Sequence, residues 1–117
     1  MIEPSSNLLN LPSLPDFSHA ILESVSIGPR RAVMLTLSPL VWVGSQGHHG
    51  PPITVRLGGI VGFDEVVAFF AEQRLPADIA GLDYAAGHVF KPNTLFLEIV
   101  FERVEARIII QCHSVSE

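Results

Sequence analysis

Hydrophobic and polar residues alternate most regularly near the end of the chain, and this alternation predicts a β-hairpin. The apolar face of its first strand carries Leu95, Leu97, Ile99 and Phe101, and that of its second carries Ala106, Ile108, Ile110 and Cys112. Side chains of a strand alternate between its two faces, so a tight turn over 102–105 brings both apolar sets to one side. A slip of one residue would turn one set toward water. We therefore predict the pairs Leu95 with Cys112, Leu97 with Ile110, Ile99 with Ile108 and Phe101 with Ala106.

The opposite face of the same hairpin is mixed in character. Phe96, Val100 and Ile109 interrupt its polar residues. Apolar side chains on an outer sheet face indicate cover by another element or by a partner. These three residues are the candidate interface.

Earlier segments predict further strands and one helix. Residues 20–27 and 31–43 are strand-like and are joined by the turn sequence Gly28-Pro29-Arg30, with an interruption at Pro39, and residues 53–57 alternate as a third strand. Over 63–74 the apolar residues follow helical spacing, with Asp64 placed to cap the helix. Residues 77–93 are interpreted as a structured connection containing one short strand at 88–90.

These elements predict an α+β fold that is mainly antiparallel β. Five or six strands form a sandwich or an open curved sheet, and one short helix lies near 63–74. Residues 1–16 contain prolines that break any helical pattern, so we expect an extended leader there and a single β-rich domain over 17–117.

Composition narrows the classes of function. The net charge is −5 with seven basic residues, which opposes a phosphate-binding stripe and hence nucleic acid as a partner. Only 16% of residues are charged, which favours burial of surface against another protein or a second copy in a homodimer. No apolar stretch reaches the roughly 20 residues of a membrane helix. The first basic residue is Arg30, which is unlike a secretory signal, so we expect a cytoplasmic protein without membrane contact.

The glycine-rich segment 44–52 is the candidate loop site. It contains His48 and His49 and follows the only tryptophan, Trp42. The histidines lack the short spacings of zinc sites, so we predict no metal and no cofactor. Cys112 falls on the core face of its strand, and Ser45 lacks the glycine pattern of a nucleophile elbow. No residue is assigned a catalytic role.

One short segment carries a family resemblance. Ser18-His19-Ala20-Ile21-Leu22-Glu23-Ser24-Val25 resembles the His-Asp-Ala-x-Leu-x-Ser-Val opening of small uncharacterised bacterial domains, some of them similar to toxin-immunity proteins. Ser18 and His19 stand where that opening has His and Asp. The resemblance implies a bacterial single-domain protein that works by binding another protein.

Two hypotheses of function follow from these residues. The first is a non-catalytic protein-binding or assembly module. The alternative is an enzyme that binds a small ligand or a metal through the loop 44–52, since a glycine-rich loop beside a tryptophan can form the lip of a pocket.

Overall fold

The computed structural model describes residues 15–86, 94–103 and 105–116. These residues form nine strands and one α-helix, with a short 3₁₀ turn at Pro29–Arg31. In chain order the elements are β1 (Ile21–Gly28), β2 (Ala32–Ser38), β3 (Leu40–Val43), β4 (Gln46–His49), β5 (Ile53–Gly58), α1 (Phe63–Ala71), β6 (Ala77–Ala86), β7 (Leu95–Phe101), β8 (Arg107–Cys112) and β9 (Ser114–Ser116).

Seven strands form one antiparallel sheet, in the order β8-β7-β6-β1-β2-β5-β9. The strands at its two edges are consecutive in the chain and are separated only by His113. The backbone N–H of His113 donates to the carbonyl oxygen of Gly58 at 2.9 Å. Because one bent strand pairs with β7 at its start and with β5 at its end, the sheet closes into a barrel rather than remaining open.

The barrel interior is the hydrophobic core. Alternate residues of the strands point inward, so that β7 reads buried and half-buried in strict succession. The largest fully buried side chains are Phe17, Leu22, Leu35, Leu37, Leu57, Ile79, Leu95, Leu97, Ile99 and Ile110. The helix α1 adds Val66 and Phe70 to this core, and Phe69 packs against Phe101 with ring centroids 5.9 Å apart.

The predicted C-terminal hairpin is confirmed with its register. Leu95 pairs with Cys112, Leu97 with Ile110 and Ile99 with Ile108. The amide of Phe101 donates to the carbonyl oxygen of Ala106 at 3.0 Å. The first hairpin, the strand break at Pro39 and the strand over 53–57 are confirmed as well.

Several expectations need correction. The strands number nine among the described residues, rather than five or six. The segment 77–93, expected to be a connection, contains the ten-residue strand β6. This strand tolerates Gly81 because its pairing with β7 shifts register there. The short strand expected at 88–90 and almost all of the leader lie outside the described residues. The helix ends at Ala71 rather than at residue 74. Its N-cap is Gly62, and Asp64 instead pairs with Arg31 at 3.2 Å.

Within the described ranges, no helix is long and apolar enough to cross a membrane.

Candidate functional site

The segment expected to be a glycine loop is in fact half of a separate β-hairpin. The strands β3 and β4 pair only with each other, as a two-stranded sheet distinct from the barrel. The hairpin turns at Gly44 and Ser45, and every residue from 41 to 49 is exposed. We call residues 40–49 the arm. Its glycines suggested a loop, but residues 46–49 pair with β3 in a regular antiparallel ladder.

Trp42 is the most prominent side chain of the arm. Its exposed fraction is 64%, equal to that of its neighbour Val43. Trp42 lies directly across from Gly47, and a Cβ atom placed on Gly47 would stand 3.2 Å from both the indole Cζ3 and the Leu40 Cδ1. The indole therefore lies over the bare backbone of Gly47 on one face of the arm.

The two histidines lie on opposite faces of the arm. His49 pairs with Leu40 and shares the face of Trp42, whereas His48 pairs with Val41 on the other face. Adjacent residues of a strand cannot direct both side chains to one ligand. Among the described residues, no group of three His, Cys, Asp or Glu side chains is placed to hold a metal ion.

Two hydrogen bonds lie at the base of the arm, one to the turn before β1 and one between the two residues that flank the arm. The Nε2 of His49 lies 3.2 Å from the carbonyl oxygen of His19, and the amide of Gly50 donates to the carbonyl oxygen of Pro39 at 2.9 Å. His19 has a left-handed backbone with φ of 60°, and its Nδ1 lies 3.7 Å from a carboxylate oxygen of Glu102. Among the described residues, the hydrogen bonds that fix the position of the arm therefore lie at its base.

The turn that carries His19 is shaped by Asp16 and Ser18. The amide of Ser18 donates to Oδ1 of Asp16 at 2.9 Å. Hydrogen bonds from the Ser18 hydroxyl and then its amide hold the pKa of Asp16 below its usual range. This turn places the carbonyl oxygen of His19 at the foot of the arm.

The candidate interface on the hairpin of β7 and β8 is brought together by the fold. Phe96 and Val100 lie on the outer face of β7, and Ile109 lies between them on β8, opposite Glu98. Ile109 is 56% exposed, while Phe96 and Val100 are half-buried. Glu98 pairs with Arg107 at 3.4 Å within the same face, so this surface is less apolar than the arm.

A cleft of about 590 Å³ lies beside the C-terminal end of β7, and no residue of the arm lines it. Its apolar floor includes Ile21 and Phe101. The Nε of Arg103 donates to Oδ2 of Asp78 at 3.1 Å across its rim. Two charged side chains of this cleft, Arg103 and Asp78, are therefore already paired with each other.

The cysteine is unsuited to act as a nucleophile. Cys112 is fully buried, as predicted, and burial raises the pKa of its thiol to about 11. The thiolate is the reactive form, so this side chain is inert near neutral pH.

Comparisons with protein-family models, with curated proteins and with solved structures found no match to this chain.

Sequence reasoning selected Trp42 and both histidines but missed three residues that define the surface. Val41 and Val43 look like buried strand positions, because the tetrapeptide Leu-Val-Trp-Val is apolar throughout. Gly47 looked like a turn residue. The one available signal was the turn-forming pair Gly44-Ser45 between two four-residue segments, which fits a hairpin.

Proposed function

We propose that this protein is a non-catalytic protein-binding or assembly module whose arm makes the contact. The observation that carries the proposal is the exposure of Trp42 and Val43 on a hairpin that pairs with no other described strand. The proposal accords with the resemblance of residues 18–25 to small uncharacterised bacterial domains, some of them similar to toxin-immunity proteins.

The energetics of the arm support a partner. An isolated two-stranded hairpin is marginally stable in water. Contiguous exposed apolar side chains mark interaction sites, and tryptophan is the residue most often found at the energetic centre of an interface. The free edges of β3 and β4 also offer backbone donors and acceptors to an added strand. A partner that binds the arm would cover its apolar side chains and at the same time stabilise the hairpin.

The alternative function, ligand or metal binding at segment 44–52, finds less support. His48 and His49 diverge to opposite faces of the arm. A cleft lined by both apolar and charged residues lies near Asp78 and Arg103, away from the arm. A catalytic site on the arm would need a pocket wall, whereas residues 41–49 are exposed on both faces.

Trp42 makes the test direct because it is the only tryptophan. We would measure acrylamide quenching of its fluorescence while the protein is titrated to tens of micromolar, alone and with proteins captured by the immobilised chain. Complex formation through the arm is expected to protect the indole from quenching and to shift its emission to shorter wavelength.

Matched variants locate the contact. Trp42→Ser is expected to weaken association by at least about tenfold, as the loss of a central interface tryptophan does. Ile109→Lys places a charge on the other candidate surface and is expected to leave association unchanged. A complex that forms with Trp42 fully quenchable, or that is lost only in Ile109→Lys, would contradict the assignment of the arm. A strict monomer that captures no protein would contradict the function itself.

A further inference from the structure

An apolar groove runs between α1 and the second half of β1. Its volume is about 270 Å³, and it is lined by Val25, Ile27, Val67, Phe70, Ala71 and Leu75 among others. Ile27 lies on the core-facing side of β1, opposite the buried Val33, yet it is 58% exposed. A core-facing isoleucine that remains in water shows that the groove is open at this point.

The groove lies beside a free strand edge. β1 pairs with β6 only at Ile21 and Leu22, and its register shifts at Glu23. The hydroxyl of Ser38 donates to a carboxylate oxygen of Glu23 at 2.8 Å and holds this bulge. Beyond the bulge, residues 24–28 pair only with β2 among the described strands. Alternate N–H and C=O groups there face away from β2 and lack a strand partner, so the groove and the edge together form a receptor for an extended peptide.

We propose that this groove receives the β3 strand of a second copy of the chain, in a reciprocal exchange of arms. The inference rests on the proposed function, since it names the surface that the arm contacts. The length of β3 agrees with the length of the free edge of β1. At about 3.3 Å per residue, the four residues of β3 span about 13 Å and the free five-residue part of β1 about 16 Å. Val41 and Val43, on one face of β3, are placed to enter the groove.

Charge favours a second copy at these two surfaces. Each chain carries a net charge of −5, so contact between two copies is least opposed where both surfaces are uncharged. Residues 40–49 contain no Asp, Glu, Lys or Arg. The side chains that line the groove are likewise uncharged. Arm and groove are therefore surfaces on which two like-charged copies can meet without opposing charges in contact.

A reciprocal exchange of arms doubles the buried surface, toward the area that a stable dimer requires. A stable interface buries about 800 Å² on each partner, and one four-residue strand falls short of that. In a two-fold arrangement each chain contributes both an arm and a groove, so each contact is made twice and the assembly closes at two subunits.

Cross-linking between variants that each carry one introduced cysteine tests the contact directly. Ile27→Cys protein is mixed with Val43→Cys protein, and in a parallel sample with Val41→Cys protein, under mild oxidation. The native Cys112 is buried and stays out of the reaction. A disulfide-linked heterodimer is expected from at least one mixture, because paired strands bring such positions within disulfide distance. Val61→Cys replaces Ile27→Cys as the control, since Val61 is 54% exposed and lies outside the groove.

Equal cross-linking of the Val61→Cys control would overturn the proposal. So would a disulfide within one chain between Ile27→Cys and Leu8→Cys, because the groove would then hold the chain's own leader.

Sedimentation of charged variants separates this inference from the proposed function. Ile27→Lys and Val43→Lys are each expected to weaken the dimer by at least about tenfold, and Val61→Lys to leave it unchanged. An equimolar mixture of Ile27→Lys and Val43→Lys proteins keeps one intact contact and is expected to recover part of the association. Dimerisation that Val43→Lys abolishes and Ile27→Lys leaves intact would overturn the groove while leaving the arm as a binding surface. A monomeric chain whose Trp42 is protected by a different protein would do the same.

Discussion

The indole of Trp42 rests on Gly47 across the arm, so closely that any side chain at Gly47 would require the ring to shift. A Cβ atom at Gly47 would lie 3.2 Å from the indole and 3.2 Å from Leu40. An aromatic ring that covers a strand glycine restores the packing that the glycine lacks. Glycine at this position therefore fixes the orientation in which the arm presents its tryptophan.

Replacement of Gly47 by valine is expected to displace the indole. The branched side chain would occupy the space of the ring, so Trp42 would rotate into water and its acrylamide quenching would increase. The melting temperature of the barrel is expected to stay unchanged, because the arm is joined to it only at its base. Gln46→Val is the control, since Gln46 pairs with Val43 on the opposite face of β4. Equal quenching in both variants would contradict the proposed contact.

Stability of the closing hairpin is expected to follow burial residue by residue. Ile99 is fully buried, so Ile99→Ala is expected to cost about 2 to 5 kcal/mol in the free energy of unfolding. Ile108 is half-buried, so Ile108→Ala is expected to lower the free energy of unfolding by less. Glu98→Ala removes a partly exposed ion pair with Arg107, which is worth less than about 1 kcal/mol. Chemical denaturation measures all three values, and a cost for Glu98→Ala as large as that for Ile99→Ala would contradict the assigned faces.

Closure of the barrel at His113 predicts a specific intolerance at Gly59. Gly59 has a φ of 65°, and a Cβ atom there would lie 2.7 Å from the His113 ring. Gly59→Ala is therefore expected to cost more than the roughly 1–2 kcal/mol of a left-handed residue alone. Gly62→Ala provides the comparison, since its φ is 70° and its nearest neighbour is the flexible end of Glu65. Equal costs for the two variants, measured by thermal denaturation, would show that β8 and β9 do not hold His113 against β5.

The parts of the fold that were predictable are those set by local alternation. Leu95 to Phe101 alternate strictly, and only one register buries both strands of their hairpin. β6 was missed because Gly81 and Asp83 interrupt its apolar pattern, and the bulge that accommodates Gly81 depends on its pairing with β7. Closure was missed for a related reason, because the pairing of Val115 with Leu57 joins residues far apart in sequence.

The residues of the candidate site were predictable from the sequence, but their arrangement in a β-hairpin was not. Trp42, His48 and His49 were selected because they are chemically distinctive. Their arrangement depends on whether 46–49 pairs with 40–43, and four polar or glycine residues do not reveal that. Ile27 was missed entirely, since its exposure results from the departure of β6 from β1 at the Glu23 bulge.

Cys112 provides a test of the last strand that depends on both burial and pH. The thiol is fully buried, so it is expected to react slowly with a thiol reagent in native protein and rapidly in denaturant. Burial raises its pKa from 9.0 to about 11, so the folded state holds the proton more tightly than the unfolded state does. The resulting stabilisation is fully present below pH 9 and is lost as the pH rises toward about 11, at up to about 1.4 kcal/mol per pH unit. Cys112→Ala removes this titration, so the difference in unfolding free energy between the wild type and the variant is expected to narrow over that window. A constant difference, or rapid labelling of the native protein, would show that Cys112 does not lie on the inner face of β8.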